Sequence, residues 1–185
     1  MSATNQPYGL IPLRHMGGGA VRNESIGAAI NSGYGSNISQ NQAVILTTSG
    51  VLNPVTGNGD EIYGVFAGVQ YNDSNGNPQN LPNWVANTVA TSIDVYLFMD
   101  PMIVYKIQAN GSIAVTGRGA CGDLINFTSA ANGFSQEVLN NAVSSIGQLR
   151  IIDKYLAPGN DWSDAFTEVQ VTIAKSQIIA QKSGV

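Results

Sequence analysis

The sequence predicts an all-β protein: a single, mostly antiparallel sandwich or barrel preceded by an extended N-terminal arm. Three observations lead there. Hydrophobic residues make up 43% of the 185 residues but charged residues only 11%, well under the roughly 25% of an ordinary soluble domain. The difference is filled by 21 glycines and by Asn, Ser and Thr, the residues that build turns. The apolar residues also come in short, β-branched runs separated by turn chemistry, without the 3.6-residue period of a long amphipathic helix. A chain of this length forms one domain and can bury roughly 70% of its unfolded surface without a metal or disulfide staple.

Taken in order, residues 1–22 read as the arm and residues 23–185 as the body. Pro7 and Pro12 remove backbone donors and disfavour helix before them, and Gly17-Gly18-Gly19 resists ordering. The arm is therefore expected to borrow its order from a neighbouring molecule. Strands are expected at 42–48 (QAVILTT), 61–71 (EIYGVFAGVQY), 92–99 (SIDVYLFM), 102–109 (MIVYKIQA) and 112–116 (SIAVT), all rich in β-branched and aromatic residues. Asn110-Gly111 is suited to a type I′ turn and predicts a hairpin between the last two, with Asp100-Pro101 marking the bend before it. The polar stretch 72–82 (NDSNGNPQNLP) reads as a surface loop. Two further strands are expected at 148–155 and 166–174. In the second, Phe166, Glu168, Gln170 and Thr172 alternate with Thr167, Val169, Val171 and Ile173, so one face is buried. Between them, Pro158-Gly159 offers a turn, and Asp161 or Ser163 a cap for at most one helical turn. Strands at this spacing without intervening helices predict a jelly-roll-like sandwich or, alternatively, a more open β-barrel or β-tulip.

The formal charge is −4, and the eight basic residues are scattered from Arg14 to Lys182. Without a basic stripe, direct nucleic-acid binding is not expected. No apolar run approaches the length of a membrane span and the N-terminus lacks a secretory pattern, so synthesis in a cytoplasm and no membrane partner are expected. The single cysteine, Cys121, reads as a small core residue. His15 is the only histidine, which leaves neither a Cys/His zinc site nor a Ser-His-Asp triad; packing or hydrogen bonding is its expected role. Gly117 to Gly122 formally matches G-x-G-x-x-G, but residues 123–132 make a poor helix, so a Gly-rich turn is expected. Asp60 with Glu61, and Asp161 with Asp164, are carboxylate pairs of the kind used in glycoside hydrolysis. They lie in turn-like segments where turn-forming or capping roles prevail. Asp73-Ser74-Asn75-Gly76 lacks the spacing and terminal Glu of a calcium loop. No cofactor, no metal and no enzymatic activity are therefore expected. The aromatics Trp84, Trp162, Tyr63, Tyr71, Tyr96 and Tyr105 are assigned to core and subunit-interface packing.

Four segments in order carry a resemblance: Pro7-Tyr8-Gly9-Leu10-Ile11-Pro12 with His15 and Gly17-Gly18; Gly64 to Tyr71 (GVFAGVQY); Asp100-Pro101 with Tyr105 to Ala109 (YKIQA); and Gln148 to Asp153 (QLRIID). Together they resemble the capsid cement, or decoration, proteins of tailed-phage heads. The resemblance implies a non-enzymatic virion protein on the outer surface of the phage head, bound to the major capsid protein lattice and stabilising it. Its partners would be the major capsid protein and sister copies in a homo-oligomer, a trimer rather than a dimer. Tyr8, Leu10, Ile11, Leu13, Arg14 and His15 of the arm are the expected contacts, adding a strand to an adjacent sheet edge. Removal of residues 2–20 would then leave a folded body that no longer decorates heads. The alternatives are another virion role, in head completion or in the tail or fibre, and a carbohydrate-binding β-sandwich module that uses Trp84, Trp162 and the Asn-rich loop.

Overall fold

The structure is a computed structural model that describes residues 4–27, 29–129 and 132–179. The first three residues of the expected arm and the last six of the body lie outside these. The strands are Ile11–His15 (β1), Glu24–Gly27 (β2), Ala43–Leu46 (β3), Leu52–Pro54 (β4), Gly64–Asn72 (β5), Pro78–Leu81 (β6), Thr91–Phe98 (β7), Ile103–Gln108 (β8), Cys121–Gly122 (β9), Leu124–Ile125 (β10), Val138–Leu139 (β11), Leu149–Lys154 (β12) and Glu168–Ile173 (β13). A first sheet of five strands has the order β1-β8-β13-β12-β9. A second sheet of six has the order β2-β7-β5-β3-β4, with β6 also on β5; β10 and β11 form a separate pair. Every strand pair is antiparallel. The sheets do not close on one another, so the all-β class holds as a sandwich rather than a barrel.

The core lies on both faces of the second sheet. Between the sheets, Ile103, Tyr105 and Ile107 of β8, Leu149 and Ile151 of β12, and Val169, Val171 and Ile173 of β13 meet Ala43, Val55, Ile62 and Val65. On the far face, Val44, Phe66, Val69, Val95 and Leu97 are covered by Ala29, Ile30, Ile38, Trp84 and Ala90 from two long connections. Strand β5 lines both clusters by alternation, Val65 in one and Phe66 in the other, and its register slips between Phe66 and Gly68. Val65 points to one core, and Val69 and Tyr71, although also odd-numbered, point to the other. A bulge inverts which parity is buried. The alternation read in 166–174 is observed, with Val169 and Val171 buried and Glu168 and Gln170 half-buried.

Three sequence expectations are corrected. Residues 112–116 are not a strand: they lead into a single 3-10 turn at Val115–Gly117. Both edges of β8 are already taken, by β1 and β13, and neither Asn110 nor Gly111 adopts positive φ. Asn110 instead binds the following loop, its N–H donating to the Leu139 carbonyl and its Oδ1 accepting the Asn141 N–H at 2.8 Å. Residues 72–82 are more than a loop. Asp73 accepts the N–H groups of Asn75 and Asn77 and Gly76 takes φ +82, which turns the chain tightly into β6.

The third correction concerns the arm. Residues 11–15 are extended, but they pair with their own body, on the edge of β8, and Leu10 is 0% exposed within the inter-sheet core. The segment enters through Gly9, at φ +69, where an added Cβ would stand 2.4 Å from the Asn41 carbonyl oxygen and 2.7 Å from Ser135 Cβ. Only glycine combines that conformation with that approach. Leu10 then donates its N–H to the Asn41 carbonyl at 2.9 Å. Pro12 is tolerated because β1 is an edge strand.

Leu10→Ala is therefore expected to lower the unfolding free energy by roughly 2–5 kcal/mol, and deletion of residues 2–16 to destabilise the whole body. Urea unfolding monitored by tryptophan fluorescence measures both. A truncated chain that unfolds at the wild-type midpoint would show that β1 and Leu10 are dispensable.

Candidate interaction surface around the first strand

The six sequence-predicted contacts divide by burial. Leu10 is withdrawn into the core, and Ile11, Leu13 and His15 are half-buried, whereas Tyr8 and Arg14 remain exposed. The Tyr8 ring meets the Phe134 ring edge-on, with centroids 5.8 Å apart. β1 runs against β8 with Ile11 opposite Lys106, Pro12 opposite Tyr105, Arg14 opposite Val104 and His15 opposite Ile103, and its register shifts between Pro12 and Arg14. A proline and a bulge on one edge strand make that edge a poor template for a further strand. The structure thus gives this segment exposed side chains to offer rather than a free strand.

His15 closes the end of this edge. Its Nε2 donates to Asp100 Oδ2 at 3.0 Å, and its Nδ1 accepts the Gly17 N–H at 3.0 Å. Asp100 Oδ1 in turn accepts the Met102 N–H at 2.8 Å, and Met16 donates its N–H to the Met102 carbonyl. The triple glycine wraps the ring: a Cβ on Gly17 would lie 3.0 Å from His15 Cε1. Met16 and Met102 stand side by side here, 48% and 44% exposed. Neither was singled out in the sequence, because a lone methionine beside glycines carries no pattern; only their pairing across the strand end makes them a patch.

At the other end, Gln108 holds residues 4–6. Its Oε1 accepts the Gln6 N–H and its Nε2 donates to the Thr4 carbonyl, both at 2.9 Å. A shallow polar groove of about 250 Å³ runs beside this segment, between Tyr8 and the 157–160 turn, with Glu168 on its floor. Lys106 pairs with Glu168 at 3.0 Å and lies over the Tyr155 ring.

The other chemical candidates resolve into local structure. Asp60 Oδ2 accepts the Thr56 and Gly57 N–H groups, and Asp164 accepts the Asp161 N–H, so Asp60 and Asp164 serve turns. Hydrogen bonding from Lys154 and from the Trp162 N–H holds the Asp161 carboxyl below its ordinary range. Asp73 is likewise lowered, first by the Asn77 N–H, and its oxygens are used within its own turn. Gly117 to Gly122 forms a turn and β9, with Cys121 buried. No cluster of three or more metal-ligating residues occurs among the described residues, nor does a helix long and apolar enough to cross a membrane. Trp84 is 0% exposed and packs edge-on against Tyr71, so it is no platform for a sugar. Trp162 is half-buried beneath Arg118. Tyr105 is raised above the ordinary phenol range by burial and by the nearby Asp100 charge. One acid that the sequence did not flag, Glu137, is completely buried; its only sequence signal is an acid directly preceding the apolar pair Val138-Leu139.

Comparison with protein-family models, curated proteins and solved structures finds no match to this chain.

The His15–Asp100 pair is partly exposed, with side-chain accessibilities of 21% and 46%. A double-mutant cycle of His15→Ala and Asp100→Ala is expected to give a coupling below about 1 kcal/mol. A coupling several times larger would make this pair, rather than Leu10, the anchor of β1.

Proposed function

We propose that this chain is a non-enzymatic structural protein of a tailed-phage virion, a cement protein that docks on the outer surface of the major capsid protein lattice and stabilises the head. The observation that carries this reading is where the resembling segments fall. Gly64 to Tyr71 lies in β5, the centre of the second sheet; Tyr105 to Gln108 lies in β8 and Leu149 to Asp153 in β12, inner strands of the first, with Ala109 and Gln148 directly beside them; and the opening segment leads into β1, which covers the edge of β8. Most of the resembling residues thus lie on or beside strands of the two sheets, with Gly17-Gly18 and Asp100-Pro101 in the turns that flank β1 and β8.

The contact surface in this reading runs along the first strand, with Tyr8 exposed at its start and Arg14, Met16 and, hydrogen-bonded to Met16, Met102 at its end. Apolar and aromatic side chains with one arginine have the composition of an interface core, and a surface with few charges costs little to desolvate. A homo-oligomer, with the trimer favoured, would sit on a symmetry axis of the shell. Contacts repeated around that axis would multiply a modest single-site affinity.

Quantitative mass spectrometry of purified particles tests the role. Copies near parity with the shell protein, or at a simple fraction of it, are the expected result. A handful of copies per particle would move the chain to the head-completion or tail class, and absence from particles would overturn a virion role. Tyr8→Ala combined with Met16→Ser is expected to weaken binding to undecorated heads roughly tenfold or more, while the lost Tyr8–Phe134 contact lowers the unfolding free energy by no more than about 1.5 kcal/mol.

A further inference from the structure

Glu137 is the only acidic or basic residue among the fully buried polar residues described. Its Oε2 accepts the Ala43 N–H at 2.9 Å. Its Oε1 has no partner and is the one buried side-chain polar atom, among the described residues, left in that condition. Three segments converge around it. The strand entry 39–43 pairs with the 133–135 turn through Gln40 and Phe134, with Gln40 donating to Gly133 and Ser135 donating to Gln40 at 3.0 Å each. The N-terminal segment docks on both: Leu10 bonds to Asn41, Gln136 Nε2 donates to the Pro7 carbonyl, and Gly9 lies against Ser135. Ser135 Oγ, in turn, accepts the Glu137 N–H at 3.1 Å.

No positive charge faces this carboxyl. Residues 39–43 (SQNQA) and 133–136 (GFSQ) contain no Asp, Glu, Lys, Arg or His, and residues 7–10 (PYGL) bring one titratable group, Tyr8, whose ring is turned to Phe134. A neutral carboxylic acid is tolerable in such a place; a carboxylate with an orphan oxygen and no counter-charge is not.

We propose that Glu137 is a proton-operated clasp: in its neutral form it closes the seam between the N-terminal segment, β3 and the turn before β11, and on ionisation it loosens that seam. Burial pushes its acid up from an ordinary 4.5 to about 8, against the opposing pull of the Ala43 N–H. The folded value lies above the unfolded one. The stabilisation is therefore complete below the unfolded value, is lost progressively as pH rises from about 4.5 to about 8, and changes no further above that. Residues 7–10, and the β1 strand that follows them, would be held most firmly in acidic solution, progressively less so toward neutrality, and least above about pH 8, where they open locally.

Hydrogen exchange on the full chain at pH 6 and pH 9, corrected for the intrinsic base-catalysed rate, reads the seam at the Leu10 and Ala43 amides. The expected result is a fall in protection of roughly tenfold or more in the wild type and a flat response in Glu137→Gln. Equal protection at both pH values in the wild type, or an equal fall in the variant, would overturn the clasp. Should the variant not fold, infrared titration of the wild type decides. A protonated carboxyl band present at pH 6 and lost by pH 9 supports the proposal, and its absence at pH 6 defeats it.

Discussion

Much of this structure depends on how an all-β chain with short strands satisfies the backbone groups of its long connections without charge. Every buried N–H and carbonyl needs a partner, and connections that cover a sheet face have no ladder to provide one. Here amide side chains do so. Gln148 accepts the Leu124 N–H and donates to the Gly57 and Asp60 carbonyls, tying β10 and the connection between β4 and β5 to the start of β12. Asn160 donates to Tyr155 and Glu168 and accepts the Glu168 N–H; Gln177 holds both backbone groups of Leu46. An amide carries donor and acceptor together and is neutral, so it can be buried where a lysine or aspartate would need a counter-ion. The shortage of charge and the abundance of Asn and Gln are thus two sides of one solution, and Glu137 is the place where an acid occupies a position of this kind.

What could be read from the sequence follows from the same division. The strands β3, β5, β7, β8, β12 and β13 were legible because their buried faces are β-branched or aromatic, as in VQVTI and IVYKI, and pattern reports burial. β4 and β6 were not legible, since LNP and PQNL carry turn residues; they are strands because β3 and β5 present an edge to them. The Asn110-Gly111 hairpin failed for the complementary reason. Local turn chemistry favoured it, but β8 had no free edge, and tertiary pairing overrides local preference. The first strand misled through Pro12 and the triple glycine. Both speak against self-sufficient order, and neither says whether the missing order comes from a neighbour or from the same chain. The answer rested on Gly9 and Leu10, whose roles are visible only beside Asn41 and Ser135.

The candidate surface was half legible for that reason. Position along the chain pointed to residues 8–15, but which side chains face outward is set by the β1 register and its bulge, and no sequence period reports a bulge. Tyr8 and Arg14 stayed on the surface, Leu10 did not, and Met16 joined Met102 through a backbone bond at the strand end.

The sheet edges bear on the kind of association this fold favours. β1 carries Pro12 and a bulge; β4 is three residues long and ends in Pro54; β6 begins with Pro78; β9 has two residues and is bridged on its outer side by Ser144. β2 is longer and unbroken, but it opens with an exposed Glu24. Short, proline-bearing or charged edges suppress open-ended strand pairing. A protein held in many copies at high local density faces that hazard more than a dilute one, because a non-closing contact between identical copies grows into a fibre. Blunt edges leave faces and turns as the places for contact, and these close symmetrically around an axis. In the proposed role, the first strand therefore helps by being locked into its own sheet: it withdraws an edge from unwanted pairing and presents Tyr8, Arg14 and Met16 on a rigid element rather than a flexible one, so less ordering entropy is lost on docking.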